Sequence, residues 1–590
     1  MKGNFVDNLG KIYGIYTGGF IGFVIFLAIL EQVGVPNRII GYAFVFLTIA
    51  VYAAIGIMSR TAQVSEYYVA GRQVPAVYNG MATGSDWMSG ASFVGLAGTF
   101  YTLGYDGLAF ALGWTGGFVL VAVLLAPYLR KFGAYTIPDF LGARYGGNLA
   151  RVIGIIVLFC CSFTYVTAQI YATGIIASRF LGMPFEIAVF VGLVGILVCS
   201  MLGGMRAVTW TQVAQYIILI IAYLVPVVIL SAQVTGVPIP QLMYGQVLQD
   251  IAVLEQTKPG IMETVKPHFM PFTNYDPLNF FGLIFCLMVG TASLPHVLMR
   301  FFTTPSVREA RRSVGWSLLF IFFLYFTAPA YAAFAKYEVY NNVIGLAIAD
   351  LPRWVSIWTE VGLVSVADAN GDGILQLAEL RLGTDAIVLA TPEIAGLPYV
   401  IAGLVAAGGL AAALSTADGL LLAIANALSH DIYYRMINPH ADTKRRLVIA
   451  RTLLMVVAIF AAWLASTRPS DILSMVAWAF SIAASGLFSA LVLGVWWKRC
   501  TSAGAIAGMI AGFGVCMIYL IGTQYGGMEK WWGVNNISAG LFGIPVAFAV
   551  TVVVSLMTKA PSREMQEFID AIRIPRGDAI MDKRDAALGH

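Results

Sequence analysis

Residues 79–98 read NGMATGSDWMSGASFVGLAG. The run is long enough to cross a membrane, yet it holds Asp86, several hydroxyls and Gly80, Gly84, Gly90, Gly95 and Gly98. Residues 288–300, MVGTASLPHVLMR, repeat the pattern with Gly290 and Pro295 flanking Thr291 and Ser293. Glycine and proline loosen a helix. Unwound backbone at mid-membrane survives only where it lines a cavity or is buried in protein. Two interrupted helices at matching places in two halves of a chain point to the binding site of a secondary transporter. Their free amides favour an anionic solute and their free carbonyls favour a small cation.

The surrounding composition agrees with a membrane setting. The chain has 590 residues, 59% of them apolar and only 11% charged, with a mean hydropathy of +0.81. Soluble domains carry about 25% charged residues, so there is too little polar surface to clothe a water-soluble globule. Apolar runs near the roughly 20 residues needed to span a bilayer recur along the whole length. The reading is an all-α polytopic membrane protein with about fourteen transmembrane helices. Most of the 35 Lys and Arg fall in alternate loops, including Arg130, Lys131, Arg144, Arg308, Arg311, Lys444, Arg445 and the tail residues Lys583 and Arg584. Positive loops stay inside, which predicts cytoplasmic termini. Cys160, Cys161, Cys199, Cys286, Cys500 and Cys516 have no metal-ligand spacing and suggest no disulfide framework.

Two further stretches are chemically unusual. Residues 410–431, LAAALSTADGLLLAIANALSHD, place Asp418 well inside an apolar span, with Ser415 one helical turn before it and Thr416 beside it. Such a carboxylate costs about 2.5–3.5 kcal/mol to insert, and hydroxyls with a carboxylate suit a hard cation. Residues 368–379, DANGDGILQLAE, follow a twelve-position calcium-loop pattern. Asp368, Asn370 and Asp372 supply side-chain oxygens, Gly373 the turn, Ile374 a carbonyl and Glu379 two oxygens. The plain alternative is a polar turn in a solvated loop. The parity of spans puts this loop outside, so Ca²⁺ there would clip a lid segment in place.

SEYYVAGR (65–72), SDWMSGASFVG (85–95), YTIPDFLGARYG (135–146), GGMRAVTWTQVAQ (203–215), GTASLPHVLMRFFT (290–303) and LSHDIYY (428–434) together resemble the sodium:solute symporter family. They are most similar to its acetate and monocarboxylate permease branch, and to the large subunit of a two-subunit bacterial subfamily. The resemblance implies two inverted five-helix repeats of the LeuT-like type, with broken helices. The division it implies is 1–58 N-terminal extra helices, 59–232 first repeat, 233–276 extracytoplasmic loop, 277–496 second repeat with the insertion 338–396, 497–557 C-terminal extra helices and 558–590 cytoplasmic tail.

Carried over by motif, the resemblance implies a Na⁺ site made of the carbonyls of Ser85, Met88 and Ala412 and the hydroxyls of Ser415 and Thr416. It implies a second cation site near Gln212 and Asp418, where the carboxylate has changed helices relative to the family pattern; Na⁺ and H⁺ both stay open there. Solute contacts are expected at Asp86, Trp87, Ser89, Gln169, Gly290, Thr291 and His296. Asp86 stays open between holding the break and touching solute, and His296 between packing beside Pro295 and binding. The function implied is Na⁺-coupled import of a small organic anion such as acetate, pyruvate or lactate. The implied setting is the lipid bilayer of the bacterial cytoplasmic membrane, beside a small two-span subunit. A proton-coupled carrier of a similar acid, or a transporter-fold sensor acting through a partner, are the other readings. Nothing points to nucleic acid. A P-loop, H-E-x-x-H and G-x-S-x-G are absent from the sequence, which speaks against a primary pump or an enzyme.

Overall fold

The computed structural model describes residues 5–258, 266–577 and 579–580, without the side chains of Val198, Cys199, Leu202 and Gly203. The expectations for the Cys199 side chain, Lys583 and Arg584 lie outside the described residues. The chain is nearly all helical. Its helices begin with α1 Leu9–Gln32, α2 Asn37–Met58, α3 Ala76–Trp87, α4 Leu96–Leu103, α5 Leu108–Leu120, α6 Ile137–Tyr145, α7 Asn148–Leu181, α8 Phe185–Thr235 and α9 Pro240–Thr257. They continue with α10 Pro277–Thr291, α11 Pro295–Met299, α12 Val307–Asn342, α13 Arg353–Glu360, α14 Ile387–Ile394, α15 Tyr399–Asn426 and α16 Thr443–Ser466. The last are α17 Ile472–Ala483, α18 Ser489–Trp496, α19 Ser502–Gln524, α20 Gly540–Met557 and α21 Arg563–Arg573.

Among the described residues, 12 helical segments are long and apolar enough to cross a membrane, against the expected fourteen. The difference has two physical sources. Residues 91–132 follow on through a tight turn at Gly104, and α8 is kinked at Gly204, leaving the apolar piece Phe185–Leu197 too short by itself.

Both expected breaks are present. The first interrupts the path at Met88–Gly90, between α3 and a π-helical turn leading into α4. The second lies at Ala292–Leu294, between α10 and α11. Helix α15 runs between them as the central rod, buried from Val400 to Asn426. Its alanine- and glycine-rich sequence explains that position. In lipid there is no hydrophobic gain in joining helices, so close van der Waals contact between small residues drives packing. A Cβ on Gly408 would strike Ala222 and Phe93, and one on Gly409 would come within 2.8 Å of Ile176. By contrast α1 is the most lipid-exposed of the long helices.

Residues 338–396 form a small cap at one end of the bundle. It contains α13 and an antiparallel hairpin, β1 Val364–Val366 and β2 Leu380–Leu382, paired Val364 to Leu382. The 368–379 loop joins the two strands. At the other end α21 docks by Ile569 and Ile572, and the Arg573 guanidinium donates to the Val495 and Trp496 carbonyls at 2.9 and 2.6 Å.

Candidate functional site

A helix that stops at mid-bundle leaves its last carbonyls without partners. At the end of α3 each of the four is accounted for. Gly84 O accepts from Met88 N at 2.8 Å, and Trp87 O from Ser89 N at 2.8 Å. Ser85 O accepts the Ser415 hydroxyl at 2.8 Å, and Asp86 O accepts the Thr416 hydroxyl at 2.7 Å. Both hydroxyls also lie against Ala412 O, at 2.9 and 3.2 Å. Ser85, Asp86, Ala412, Ser415 and Thr416 therefore pool uncharged oxygens between α3 and α15. Met88 lies at the break itself, with φ −75° and ψ 65°, and makes no hydrogen bond to Ser415 or Thr416.

Asp86 is tied to the other break. Its Oδ2 accepts from Arg300 Nε at 3.0 Å, with both side chains buried. Arg300 follows α11 and also donates to Thr209 Oγ1 at 3.3 Å on α8. This ion pair was not foreseen, although both residues lie in motifs that were quoted. A Cβ on Gly419 would run into the Asp86 carboxylate, so glycine there makes the room.

Asp418 Oδ1 accepts a hydrogen bond from Ser200 on α8, while its Oδ2 has no partner and the residue is wholly buried. Gln212 donates from Nε2 to Ser415 O at 2.7 Å. Gln212 thus braces the oxygen cluster, while Asp418 is held by Ser200.

Between the breaks lies an aromatic enclosure. Trp87 meets Phe118, Phe480 and Trp114 at ring centroid distances of 4.8, 5.4 and 6.4 Å. Tyr165 bridges Phe480 at 5.9 Å and His296 at 5.5 Å. Gly290 lets Phe480 close in, with 2.7 Å from a built Cβ to the Phe480 Cβ. Thr291 packs on Gly117 and turns its hydroxyl back to Leu287 O at 2.7 Å. Gln169 Oε1 accepts from Gly90 N at 2.7 Å and so caps the helix resuming after the first break. Trp87 Nε1, Trp114 Nε1, Gln169 Nε2, Ser89 Oγ and both His296 ring nitrogens are buried without a hydrogen-bond partner. Unpaired buried polar atoms are costly, and four of these, outside the histidine ring, are N–H or O–H donors. Trp114, Phe118 and Phe480 carried no distinguishing signal in the sequence.

A second network closes one end of the bundle. Asp431 accepts from Thr136 Oγ1 at 2.7 Å and faces Arg151 Nε at 3.6 Å. Arg151 also meets Asp139 at 3.4 Å, and Arg446 lies 3.2 Å from His430 Nδ1. Thr136 and Asp139 belong to the YTIPDF motif and His430 and Asp431 to LSHDIYY, while Arg151 and Arg446 come from the helices that follow.

In the 368–379 loop the side-chain oxygens converge on backbone amides. Asp368 accepts from Gly371 N at 2.9 Å and Gly373 N at 3.2 Å, and Asp372 from Ile374 N at 2.8 Å. Asn370 accepts from Asp372 N at 3.0 Å, and Glu379 from Ala369 N and Gln376 N at 2.8 and 3.0 Å. Bonding to the Ile374 amide holds the Asp372 carboxyl below its ordinary range.

Comparison with known proteins adds a lineage to this geometry. The family model described as sodium:solute symporter family matches residues 67–351 and 354–512. An uncharacterized symporter of Cupriavidus necator is 45% identical, over 95% of this chain and 98% of that one. The uncharacterized symporter YwcA of Bacillus subtilis is 29% identical, over 77% and 80%. A substrate-bound, outward-open structure of a Na⁺-coupled sialic acid symporter shares the fold with a TM-score of 0.67 at 17% identity, covering 89% of this chain and 99% of that one.

Proposed function

The chain belongs to the sodium:solute symporter family, a family of transporters and not of enzymes, and from that premise we propose that it couples Na⁺ entry to uptake of a small monocarboxylate such as acetate, pyruvate or lactate. One observation carries the reading: the two faces of the first break have opposite chemistry. On the α15 side stand uncharged oxygens, from Ser85, Ala412, Ser415 and Thr416. These suit Na⁺, a hard cation that takes oxygen ligands. On the other side stand unpaired donors, from Trp87, Trp114, Ser89 and Gln169. A carboxylate would satisfy several of them at once, and the Phe118 and Phe480 rings would cover a short apolar tail. The guanidinium of Arg300 is already matched by Asp86. The anion would be held by neutral donors, which keeps its release cheap.

Asp418 supplies the second half of the coupling. One charge crossing 100 mV is worth about 2.3 kcal/mol. A monocarboxylate entering with a single Na⁺ cancels that drive, and a second cation restores it. Asp418 Oδ2, buried and unpartnered, is the place for it.

Further assignments rest on the same reading. The basic loops support a setting in the inner membrane of a bacterial cell with both termini in the cytoplasm. A small two-span subunit packs on α1, where Gly14, Gly18 and Gly22 recur on one face with open space beside them. The 368–379 loop takes Ca²⁺ as a clip through Asp368, Asn370, Asp372, Ile374 and Glu379, supported by the convergence of those side-chain oxygens on one turn.

The deciding experiment is uptake into proteoliposomes of labelled acetate, pyruvate, lactate and proline, with Na⁺ or choline outside at fixed pH. Na⁺-dependent accumulation of an acid is expected. Equal uptake in choline overturns the Na⁺ reading in favour of a proton-coupled carrier, and uptake of proline alone overturns the carboxylate.

A further inference from the structure

A cavity of about 560 Å³ opens at the end of the bundle that carries the 338–396 cap. It shares no lining residue with the site between the breaks. Three spans begin or end at its wall, α2 at Asn37, α7 at Leu181 and α15 at Tyr399. It therefore sits at the level where membrane meets water. Phe180, Trp354 and Tyr399 give it an aromatic lining of the kind found at that level.

Its charge is lopsided. Arg38, Arg179 and Arg353 face a single acid, Glu393. Glu393 is already satisfied, by Arg179 Nη2 at 2.5 Å and Trp358 Nε1 at 3.2 Å. Arg38 donates from Nε to the Tyr42 hydroxyl at 2.6 Å and is otherwise exposed. Arg353 is exposed, and neither it nor Arg38 meets a carboxylate among the described residues.

The helix starts add to this field. Pro36, Pro352 and Pro398 each precede a helix, and in each the third amide closes back on the proline carbonyl. Ile39 does so at 2.9 Å, Val355 at 3.0 Å and Ile401 at 3.0 Å. The first two amides of each helix are left free. On α15 those of Tyr399 and Val400 donate to the two oxygens of one carboxylate, Glu31, at 2.7 and 2.8 Å. On α2 and α13 the equivalent amides, of Asn37 with Arg38 and of Arg353 with Trp354, have no acceptor among the described residues, and no side chain caps either helix. The molecule thus shows at α15 what such a start attracts, and leaves two like it open beside two guanidinium groups that meet no carboxylate among the described residues.

We propose that this cavity binds a phosphate group, carried by an anionic lipid headgroup or free in solution, between Arg38 and Arg353. A carboxylate sets its two oxygens in one plane. A phosphate sets its non-bridging oxygens tetrahedrally, two on a diester headgroup and more on the free ion, so that they face two guanidinium groups from different directions, and arginine forks match it in bidentate fashion. Helix N-termini favour the same ligand.

The test uses the purified full chain in neutral detergent. Native mass spectrometry reads retention of phosphatidylglycerol against diacylglycerol, which has no phosphate, and calorimetry reads inorganic phosphate. Wild-type protein is expected to prefer phosphatidylglycerol, or to give phosphate heat. The pair Arg38→Gln with Arg353→Gln weakens that binding by about thirtyfold, and Arg38→Lys with Arg353→Lys keeps most of it. Preference for the lipid without phosphate heat assigns the headgroup, and phosphate heat without lipid preference assigns a soluble anion. Equal retention of the two lipids with no phosphate heat overturns the proposal, and that comparison needs only the wild-type chain. Undiminished binding by a folded glutamine pair overturns it as well.

Discussion

Asp86 and Arg300 stand on different broken helices and meet in a buried ion pair at 3.0 Å. They bind the two interrupted segments to each other at the depth where both have lost their helical hydrogen bonds. Breaking a buried pair by removing one partner costs about 3–5 kcal/mol, because the other charge is left uncompensated. Arg300→Gln is therefore expected to lower the thermal unfolding temperature sharply. Asp86→Asn with Arg300→Gln, which removes both charges, recovers much of the loss. An unfolding temperature unchanged in Arg300→Gln would show that the pair does not join the breaks.

The hydroxyls of Ser415 and Thr416 can be removed without disturbing the shape of α15. Ser415→Ala with Thr416→Ala strips two oxygens from the cluster and frees Ser85 O and Asp86 O. The Na⁺ concentration for half-maximal transport is expected to rise about tenfold, the equivalent of about 1.4 kcal/mol. The protein should remain folded, since alanine is the best helix former. A Na⁺ curve that does not move counts against the cluster as the ion's place.

How much of this was legible beforehand depended on how local the signal was. The breaks were readable because glycine and proline act on their own backbone. Ser415, Thr416 and Asp418 stood out because polar groups in an apolar run are conspicuous. Arg300 stands inside a quoted motif, but its partner lies 214 residues away, and no spacing rule reaches that far. Trp114, Phe118 and Phe480 read as ordinary apolar residues; only packing makes them walls of an enclosure. Gln169 was marked as a solute contact, and the fold turns its carbonyl oxygen to Gly90 N, leaving the amide nitrogen for the site. The expected fourteen spans exceed the 12 found by length among the described residues because the chain turns at Gly104 and Gly204, where one apolar run holds two shorter helical pieces.

Asp418→Asn keeps the size of the side chain and the hydrogen bond from Ser200, and removes the charge. Insertion should improve slightly, since a buried carboxylate is costly. Accumulation of the solute and its dependence on membrane voltage should both fall. Current recorded per labelled solute separates the cases: one net charge per cycle in wild type and none in the variant. The same charge ratio in both removes Asp418 from the coupling.

Trp114→Phe retains the ring that packs on Phe480 and deletes the indole N–H. A hydrogen bond to a charged group is worth about 1.5–3 kcal/mol. The apparent KM for the carboxylate is expected to rise about tenfold or more, with the Na⁺ half-saturation at high solute nearly unchanged. An unaltered KM would mean that the unpaired indole faces no anion.

Asp385 gives a prediction about pH. It precedes α14 in the cap region, is buried, and accepts from Ile472 N at 3.4 Å, beside the helix-capping Asp471. Burial, then the charge of Asp471, raises its pKa from 3.8 to about 8. A folded-state pKa above the unfolded value means that the folded protein holds the proton more tightly. The resulting stability is fully present below about pH 4 and is lost as pH rises through 8. Tyr171 of α7 and the Asp471 carboxylate face the same pocket, with Arg468 near Tyr171. Asp385→Asn mimics the protonated form. The variant should therefore unfold at a higher temperature than wild type at pH 8 and above, with the gap narrowing on acidification and closing below about pH 4. Thermal unfolding curves that stay parallel across that range would show that Asp385 is already ionised in the folded protein.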